Sequence, residues 1–173
     1  MCVDFLLYNV ESPINIGQVL HTADVYGMSV FICDGPGVFE DPYKRRVIAD
    51  FANGALGRRP PLMVRPDVLP ALLGRGRRNI ATSVLPEGRR VQSFTFFTGD
   101  LVIVGNDLAE LDERVLASCH AQLTLPMLPV GAVAAVIAHQ AILVEPAQPV
   151  AFGEEPTRET QPLQELSDAI DGR

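Results

Sequence analysis

Residues 15–24, NIGQVLHTAD, come directly after a short apolar run at residues 3–8. The apolar run is typical of a buried strand, and Ser12 and Pro13 suit the first turn of a helix. Apolar residues then recur at helical spacing as far as Gly27, a residue that favours a helix end. The pattern therefore predicts a strand, a tight turn and a helix that carries Asn15 and His21.

Further along the chain, apolar strand-like runs alternate with helical patterns. Predicted strands lie at 30–33, 62–64, 79–82, 101–105 and 122–125, and predicted helices at 44–52, 67–74, 112–118 and 133–144. This alternation predicts an α/β domain with a mainly parallel sheet flanked by helices. Because the helix at 133–144 is apolar on nearly all sides, we expect a second copy of the chain to cover part of it.

Composition indicates one globular domain followed by an acidic tail. The 173 residues are 47% apolar, and Gly, Pro or charge interrupts each apolar run well short of the ~18 residues of a membrane span. We expect the domain to cover residues 1–145 and the segment 146–173, rich in Pro and Glu, to be a mobile tail. Three widely spaced cysteines favour buried or idle thiols in a reducing cytoplasm over a disulfide framework or a zinc site.

Charge is distributed unevenly along the chain, although the net charge is −7. Between residues 44 and 90 eleven basic residues accompany three acids, whereas residues 145–173 carry seven acids and two arginines. A basic stretch of this kind can bind a phosphate-rich partner, since arginine binds phosphate through two parallel hydrogen bonds. The alternative interpretation is a solvated surface without a ligand.

Two later segments complete a pattern with residues 15–24. They are LVIVGNDLAEL at 101–111 and LTLPM at 123–127. Together the three segments resemble the SPOUT superfamily of S-adenosylmethionine-dependent RNA methyltransferases, in its SpoU (TrmH-like) branch. The first is similar to the family's N-x-G-x-x-x-R-T-A, the second to a strand with G-x-E-x-x-G-L, and the third to its I-P-M element. This chain has His21 for the arginine and Asp107 for the glutamate, and it lacks the S-L-N that follows I-P-M.

The resemblance spans residues 3–144 and is nearest to the smallest members of the branch, single domains that methylate the wobble ribose of tRNA. It implies a C-terminal trefoil knot completed by the last helix, and a homodimer formed through helix 133–144 and the first helix. It also implies S-adenosylmethionine as the cofactor and a ribose 2′-hydroxyl of RNA as the acceptor. Methyl transfer requires no metal, and the interrupted apolar runs predict no membrane span.

The resemblance implies roles for particular residues. Catalytic residues would be His21, Asn15 and Asp107, with His21 as a general base because an imidazole accepts a proton near neutral pH. The cofactor would be held around Thr82, Val104, Gly105, Leu123, Leu125 and Gly131. RNA phosphates would be bound by Arg45, Arg46, Arg58 and Arg59. A structural histidine on a helix face is the alternative for His21.

Two other functions are compatible with the sequence. The missing S-L-N and the changed arginine favour a non-catalytic relative that binds nucleotide or RNA without methylating it. The net acidity and the altered site favour a methyltransferase that acts on a small molecule or a peptide.

Overall fold

The computed structural model describes residues 3–74, 76–106 and 111–143. The strands are β1 (Asp4–Tyr8), β2 (Val30–Cys33), β3 (Leu62–Met63), β4 (Asn79–Ser83), β5 (Arg89–Arg90), β6 (Leu101–Val104) and β7 (Ala121–Thr124). The α-helices are α1 (Pro13–Tyr26), α2 (Pro42–Ala52), α3 (Ala55–Arg58), α4 (Leu69–Leu73), α5 (Glu113–Leu116) and α6 (Val130–Leu143). Within these ranges, no helix combines the length and apolar character needed to cross a membrane. The predicted tail at 146–173 lies outside the described residues.

In the described part of the chain, seven strands form one sheet in the order β3-β2-β1-β6-β4-β7-β5. All of their pairings are parallel. Parallel neighbours need a crossover between them, and the helices supply it. The structure therefore confirms the α/β class and the parallel sheet.

The sheet carries a buried apolar cluster on each face. Along β6, Val102 and Val104 join the cluster under α1, α2 and α6, whereas Leu101 and Ile103 join the cluster with α4 and α5. Successive strand residues point to opposite faces, so a strand covered on both sides must be apolar throughout. This explains why β6 is a continuous apolar run.

Helix α1 begins and ends where the sequence predicts. The Ser12 hydroxyl accepts a hydrogen bond from the N–H of Asn15 at 3.3 Å, which satisfies a donor of the first turn. Gly27 ends the helix in the left-handed region at φ 70°. Helix α2 begins earlier than predicted because Asp41 caps it, accepting from the N–H groups of Tyr43 and Lys44.

Among the strands and α-helices of the described ranges, two short elements were not predicted from the sequence. Helix α3 lies between the predicted helix at 44–52 and the predicted strand at 62–64, and β5 consists of two exposed arginines. Strand β5 exists because Arg89 and Arg90 pair with Leu123 and Thr124 of β7. Neither element has an apolar pattern long enough to indicate its type.

Gly17 of the first motif lies where α1 crosses α2. A Cβ at this position would lie 2.6 Å from the Cβ of Phe51 and 2.7 Å from the carbonyl oxygen of Ile48. The second contact is with backbone, which cannot rotate away. Close helix packing therefore requires glycine here, independently of any ligand.

Candidate active site

A cavity of about 280 Å³ lies at the carboxyl ends of β4, β6 and β7. Thr82 and Ser83 of β4 line one side of it. Val104 of β6 and the two residues that follow it, Gly105 and Asn106, line another. In open α/β sheets ligands bind in the crevice outside the carboxyl ends of the strands. The position of the cavity is therefore typical of a ligand site.

The remaining wall comes from the third motif and from α6. Residues 125–128, which follow β7, pass along the cavity, and Val130 and Val133 of α6 contact it from the helical layer. Met127 is 84% exposed and Leu128 is 38% exposed, so this side of the wall borders solvent. The cavity is thus formed by segments that are far apart in sequence.

Four of the six residues predicted for the cofactor line this cavity: Thr82, Val104, Gly105 and Leu125. The other two, Leu123 and Gly131, do not line it. Leu123 is fully buried in the core between the sheet and α6, since it lies inside β7. Gly131 packs against α1, where an added Cβ would lie 2.7 Å from the Cβ of Gln18.

The side-chain hydroxyls of β4 are used by the local backbone. The Thr82 hydroxyl donates to the carbonyl of Ile103 at 3.1 Å, and the Ser83 hydroxyl accepts from the N–H of Leu85 at 3.0 Å. These bonds hold the ends of β4 and β6 in position. Because both hydroxyls are engaged in this way, backbone groups supply much of the polar surface of the cavity.

Asn106, which lines the cavity, is hydrogen-bonded to Glu11, a residue that was not predicted from the sequence. Its side-chain amide donates to a carboxylate oxygen of Glu11 at 3.0 Å. Glu11 lies in the turn after β1, and β1 is the neighbour of β6 in the sheet. Only the strand order places this acid beside the cavity, so the sequence contains no local signal for it.

The predicted catalytic residues of α1 lie outside the cavity wall. Asn15 is buried, and His21 is one turn after Gly17 and one turn before Asp24. Residues at this spacing share a helix face, here the face that meets α2 and α3. The Nδ1 atom of His21 is buried and has no hydrogen-bond partner among the described residues. The third predicted catalytic residue, Asp107, lies outside the described ranges.

The four arginines predicted to bind RNA differ in their surroundings. Arg58 donates to Asp24 through Nε at 2.9 Å and Nη2 at 2.7 Å, and also to the carbonyl of Asn53. This guanidinium is therefore engaged in joining α3 to α1. Arg45, Arg46 and Arg59 are exposed, and none of them has an ion pair with another described residue.

Burial raises the pKa of two thiols. The pKa of Cys119 rises to about 11 for this reason, and the pKa of Cys33 is raised by burial and then by the nearby Asp34. Both thiols are therefore protonated at neutral pH and are poor nucleophiles. Among the described residues, no group of three His, Cys, Asp or Glu side chains is placed to hold a metal ion.

No protein-family model and no curated protein sequence matches the chain. Solved structures do match. The SpoU methyltransferase AviRb from Streptomyces viridochromogenes, in complex with AdoMet, is 21% identical with a TM-score of 0.68, over 83% of this chain and 57% of its own. A structure described as giving insights into the 2-OH methylation of C/U34 on tRNA is 23% identical with a TM-score of 0.68, over 82% and 89%.

The A. aeolicus TrmH/SpoU tRNA modifying enzyme is 18% identical with a TM-score of 0.67, over 80% of this chain and 72% of its own. The chain spans little more than half the length of AviRb, 57%. Similarity extends over most of the chain in each comparison. This protein therefore has the fold of the SpoU (TrmH-type) RNA methyltransferases.

Proposed function

We propose that the protein is an S-adenosylmethionine-dependent methyltransferase that acts on a ribose 2′-hydroxyl of RNA in the cytoplasm. This proposal rests on the cavity at the carboxyl ends of β4, β6 and β7, because α/β sheets bind ligands at that end of their strands. Structures of the same fold solved with AdoMet support the choice of cofactor. A solved structure of an RNA 2′-O ribose methyltransferase, 20% identical to this chain with a TM-score of 0.69, supports the choice of acceptor.

The cavity has a composition that suits the cofactor. Val104 and Val133 offer apolar surface to a flat base, and Gly105 has no side chain to block a ligand from the backbone. When bound, S-adenosylmethionine supplies a methyl group on a sulfonium. The remaining tasks of the protein are to position the acceptor oxygen in line with that group and to receive its proton. Thr82 and Leu125 complete the proposed cofactor site.

Asn15, His21 and Asp107 are the proposed catalytic residues. The imidazole of His21 is the proposed proton acceptor; its Nδ1 is buried and accepts no hydrogen bond from a described residue. Replacement His21→Ala should lower turnover at least about tenfold, within the usual contribution of a general base, and leave cofactor affinity nearly unchanged. An unchanged rate would assign His21 to helix packing.

A homodimer through α6 and α1, with α6 completing a trefoil knot, is part of the proposal. Helix α6 leaves Val136, Ile142 and Leu143 exposed by 39%, 48% and 63%, and α1 leaves Ile14 exposed by 41%. Exposed apolar side chains on two adjacent helices favour a surface that a second copy covers. Ile142→Glu should convert a dimer to a monomer in analytical ultracentrifugation, whereas Leu62→Glu, on the edge strand β3, should not.

The proposed RNA phosphate contacts are Arg45 and Arg46 of α2 and Arg59, the residue after α3. Arg58, next to Arg59 in sequence, is also proposed and is held in position by its ion pair with Asp24. Each exposed guanidinium can bind phosphate without first breaking an ion pair. The double replacement of Arg45 and Arg46 by Ala should weaken RNA binding and reduce its salt dependence. Arg65→Ala, which removes an arginine already paired with Asp67, is the control.

Isothermal titration calorimetry with S-adenosylhomocysteine tests the cofactor site. Leu128 and Leu62 are each 38% exposed, but only Leu128 lines the cavity. Leu128→Trp should therefore weaken binding by about tenfold or more, because the indole occupies ligand volume, whereas Leu62→Trp should have no effect. No binding to the wild-type protein at millimolar ligand would end the proposal.

A non-catalytic relative is the second candidate, because Asn15 and His21 do not line the cavity. Transfer of a labelled methyl group to bulk cellular RNA separates the two candidates. Cofactor binding without labelled RNA would favour the non-catalytic protein. Label in a metabolite or peptide extract, with none in RNA, would assign the enzyme to a different acceptor.

A further inference from the structure

A second cavity, of about 550 Å³, adjoins the first on the side of β5. The two cavities share the residues Val84, Leu125 and Pro126. The other residues that line the second cavity are Pro86, Arg90, Gln92, Ser93 and Thr124. A ligand in one cavity would therefore lie next to a ligand in the other.

Arg90 gives the second cavity a positive charge. It is exposed, and its guanidinium has no ion pair or hydrogen bond within the described residues. By contrast, the arginines at 58, 65, 77 and 78 each pair with an aspartate. None of the described residues that line the cavity is acidic, and Arg90 is the one among them that carries a formal charge. Such a site favours an anionic ligand.

The hydroxyl groups of the second cavity donate to nearby carbonyls. Ser93 donates to the carbonyl of Arg90 at 3.1 Å, and Thr124 donates to the carbonyl of Leu85 at 2.6 Å. The guanidinium of Arg90 and the amide of exposed Gln92 are therefore the side-chain donors best placed to contact a ligand. A guanidinium matches a phosphate group through two parallel hydrogen bonds.

We propose that the second cavity binds the acceptor nucleotide of an RNA strand and that Arg90 holds its phosphate. This inference rests on the proposed methyltransferase function, since methyl transfer requires the acceptor to lie beside the cofactor. Val84, Pro86 and Pro126 provide apolar surface for the nucleoside. Among the strands of the described ranges, β5 is the last in the sheet order, and an RNA strand can continue along this side of the sheet.

Arg89 provides a matched control for Arg90. The two residues are neighbours in β5 and both are exposed, but successive side chains of a strand point to opposite faces. Accordingly, Arg89 does not line the second cavity. Arg90→Ala and Arg89→Ala remove the same charge from the same strand, and only the first removes it from the proposed site.

The test is fluorescence anisotropy with a labelled, short single-stranded RNA, together with calorimetry with S-adenosylhomocysteine. Arg90→Ala should weaken RNA binding about tenfold, as expected for one charge-assisted contact, and reduce the salt slope by about one. Arg89→Ala should change RNA affinity less than about twofold, within a general charge effect. All three proteins should bind S-adenosylhomocysteine equally well.

Three results would overturn the acceptor site. Equal RNA affinities of the two variants, with cofactor binding intact, would overturn this inference and leave the proposed function standing. Weaker S-adenosylhomocysteine binding by Arg90→Ala alone would assign Arg90 to the cofactor. Absence of S-adenosylhomocysteine binding to the wild-type protein would overturn the proposed function and the acceptor site with it.

Discussion

At the amino ends of β4 and β6 an arginine is paired with a buried aspartate, whereas the carboxyl ends of the same strands border an open cavity. Arg78, just before β4, donates to Asp100, just before β6, and Asp100 is only 2% exposed. At the other ends, Thr82 and Gly105 line the cavity. The same two strands therefore have one closed end and one open end.

At the closed end, hydrogen bonds also join β4 to the segment just before β7. The side-chain amide of Asn79, which is fully buried, donates to the carbonyls of Leu73 at 2.7 Å and Ser118 at 3.0 Å. The N–H of Asn79 donates to Nδ1 of His120 at 3.0 Å. Stabilising hydrogen bonds and ion pairs thus concentrate at the amino ends of these strands, and the carboxyl ends are available to ligands.

The largest expected effect is at the closed end. Arg78→Ala should lower the free energy of unfolding by about 3 to 5 kcal/mol, because the buried carboxylate of Asp100 loses its partner. Arg65→Ala breaks an exposed pair with Asp67 and should cost less than about 1 kcal/mol. Urea denaturation measures both values. Similar small losses in the two variants would remove the proposed contrast between the ends of the sheet.

A somewhat smaller effect is expected for Gly17, which lies in the first motif. Gly17→Ala should destabilise the protein by about 2 to 3 kcal/mol, because the added methyl group overlaps the backbone of α2. Gly57→Ala is the control, since nothing lies within 4 Å of an added Cβ there. Thermal unfolding followed by circular dichroism compares the two variants. A stable Gly17→Ala protein would show that the two helices can separate.

At the open end, we expect a change in ligand binding with little change in stability. Thr82→Val removes the hydrogen bond to the carbonyl of Ile103 and should cost only about 1 kcal/mol. S-adenosylhomocysteine affinity should fall about fivefold, because the strand end that lines the cavity loses its anchor. Calorimetry and urea denaturation on the same sample give both numbers. A stability loss as large as that of Arg78→Ala would contradict the comparison.

The smallest effect at neutral pH is expected for Tyr8, at the carboxyl end of β1. Burial, and then a hydrogen bond to Asp112, raise the pKa of Tyr8 from 10.0 to about 12. Because the folded pKa exceeds the unfolded value, this contribution to stability is complete below pH 10 and is lost as pH rises towards about 12.

Tyr8→Phe should therefore flatten the alkaline fall in stability and change little at neutral pH. Denaturation at a series of alkaline pH values measures this, and the ultraviolet absorbance of the phenolate gives the pKa itself. Tyr43→Phe, which removes an exposed phenol, is the control. Identical alkaline profiles for wild type and Tyr8→Phe would contradict the prediction.

Several parts of the fold could be predicted because their signals are local. Strand β2 occupies the predicted residues, and α1 follows its Ser12 cap and its terminal Gly27. Strand β5 could not be predicted, because its two exposed residues are held only by pairing with β7. A pairing partner more than thirty residues away leaves no trace in local periodicity.

The candidate site was predicted in part. Residues at strand ends that were predicted for the cofactor, such as Thr82, Gly105 and Leu125, line the cavity. Leu123 does not, because it lies within β7, where its side chain enters the core. Glu11 was missed because its contact with Asn106 depends on β1 and β6 being neighbours in the sheet.

The sequence by itself determined the types and order of the main elements, since backbone preferences, caps and apolar spacing act between residues that are close in the chain. The tertiary structure decided which charges that are distant in sequence are paired. Arg58 meets Asp24 and Arg78 meets Asp100 across long sequence separations, whereas the guanidinium of Arg90 has no such partner among the described residues. The physical reason is that the interaction of two charges depends on their distance in space and on their burial, and the fold determines both.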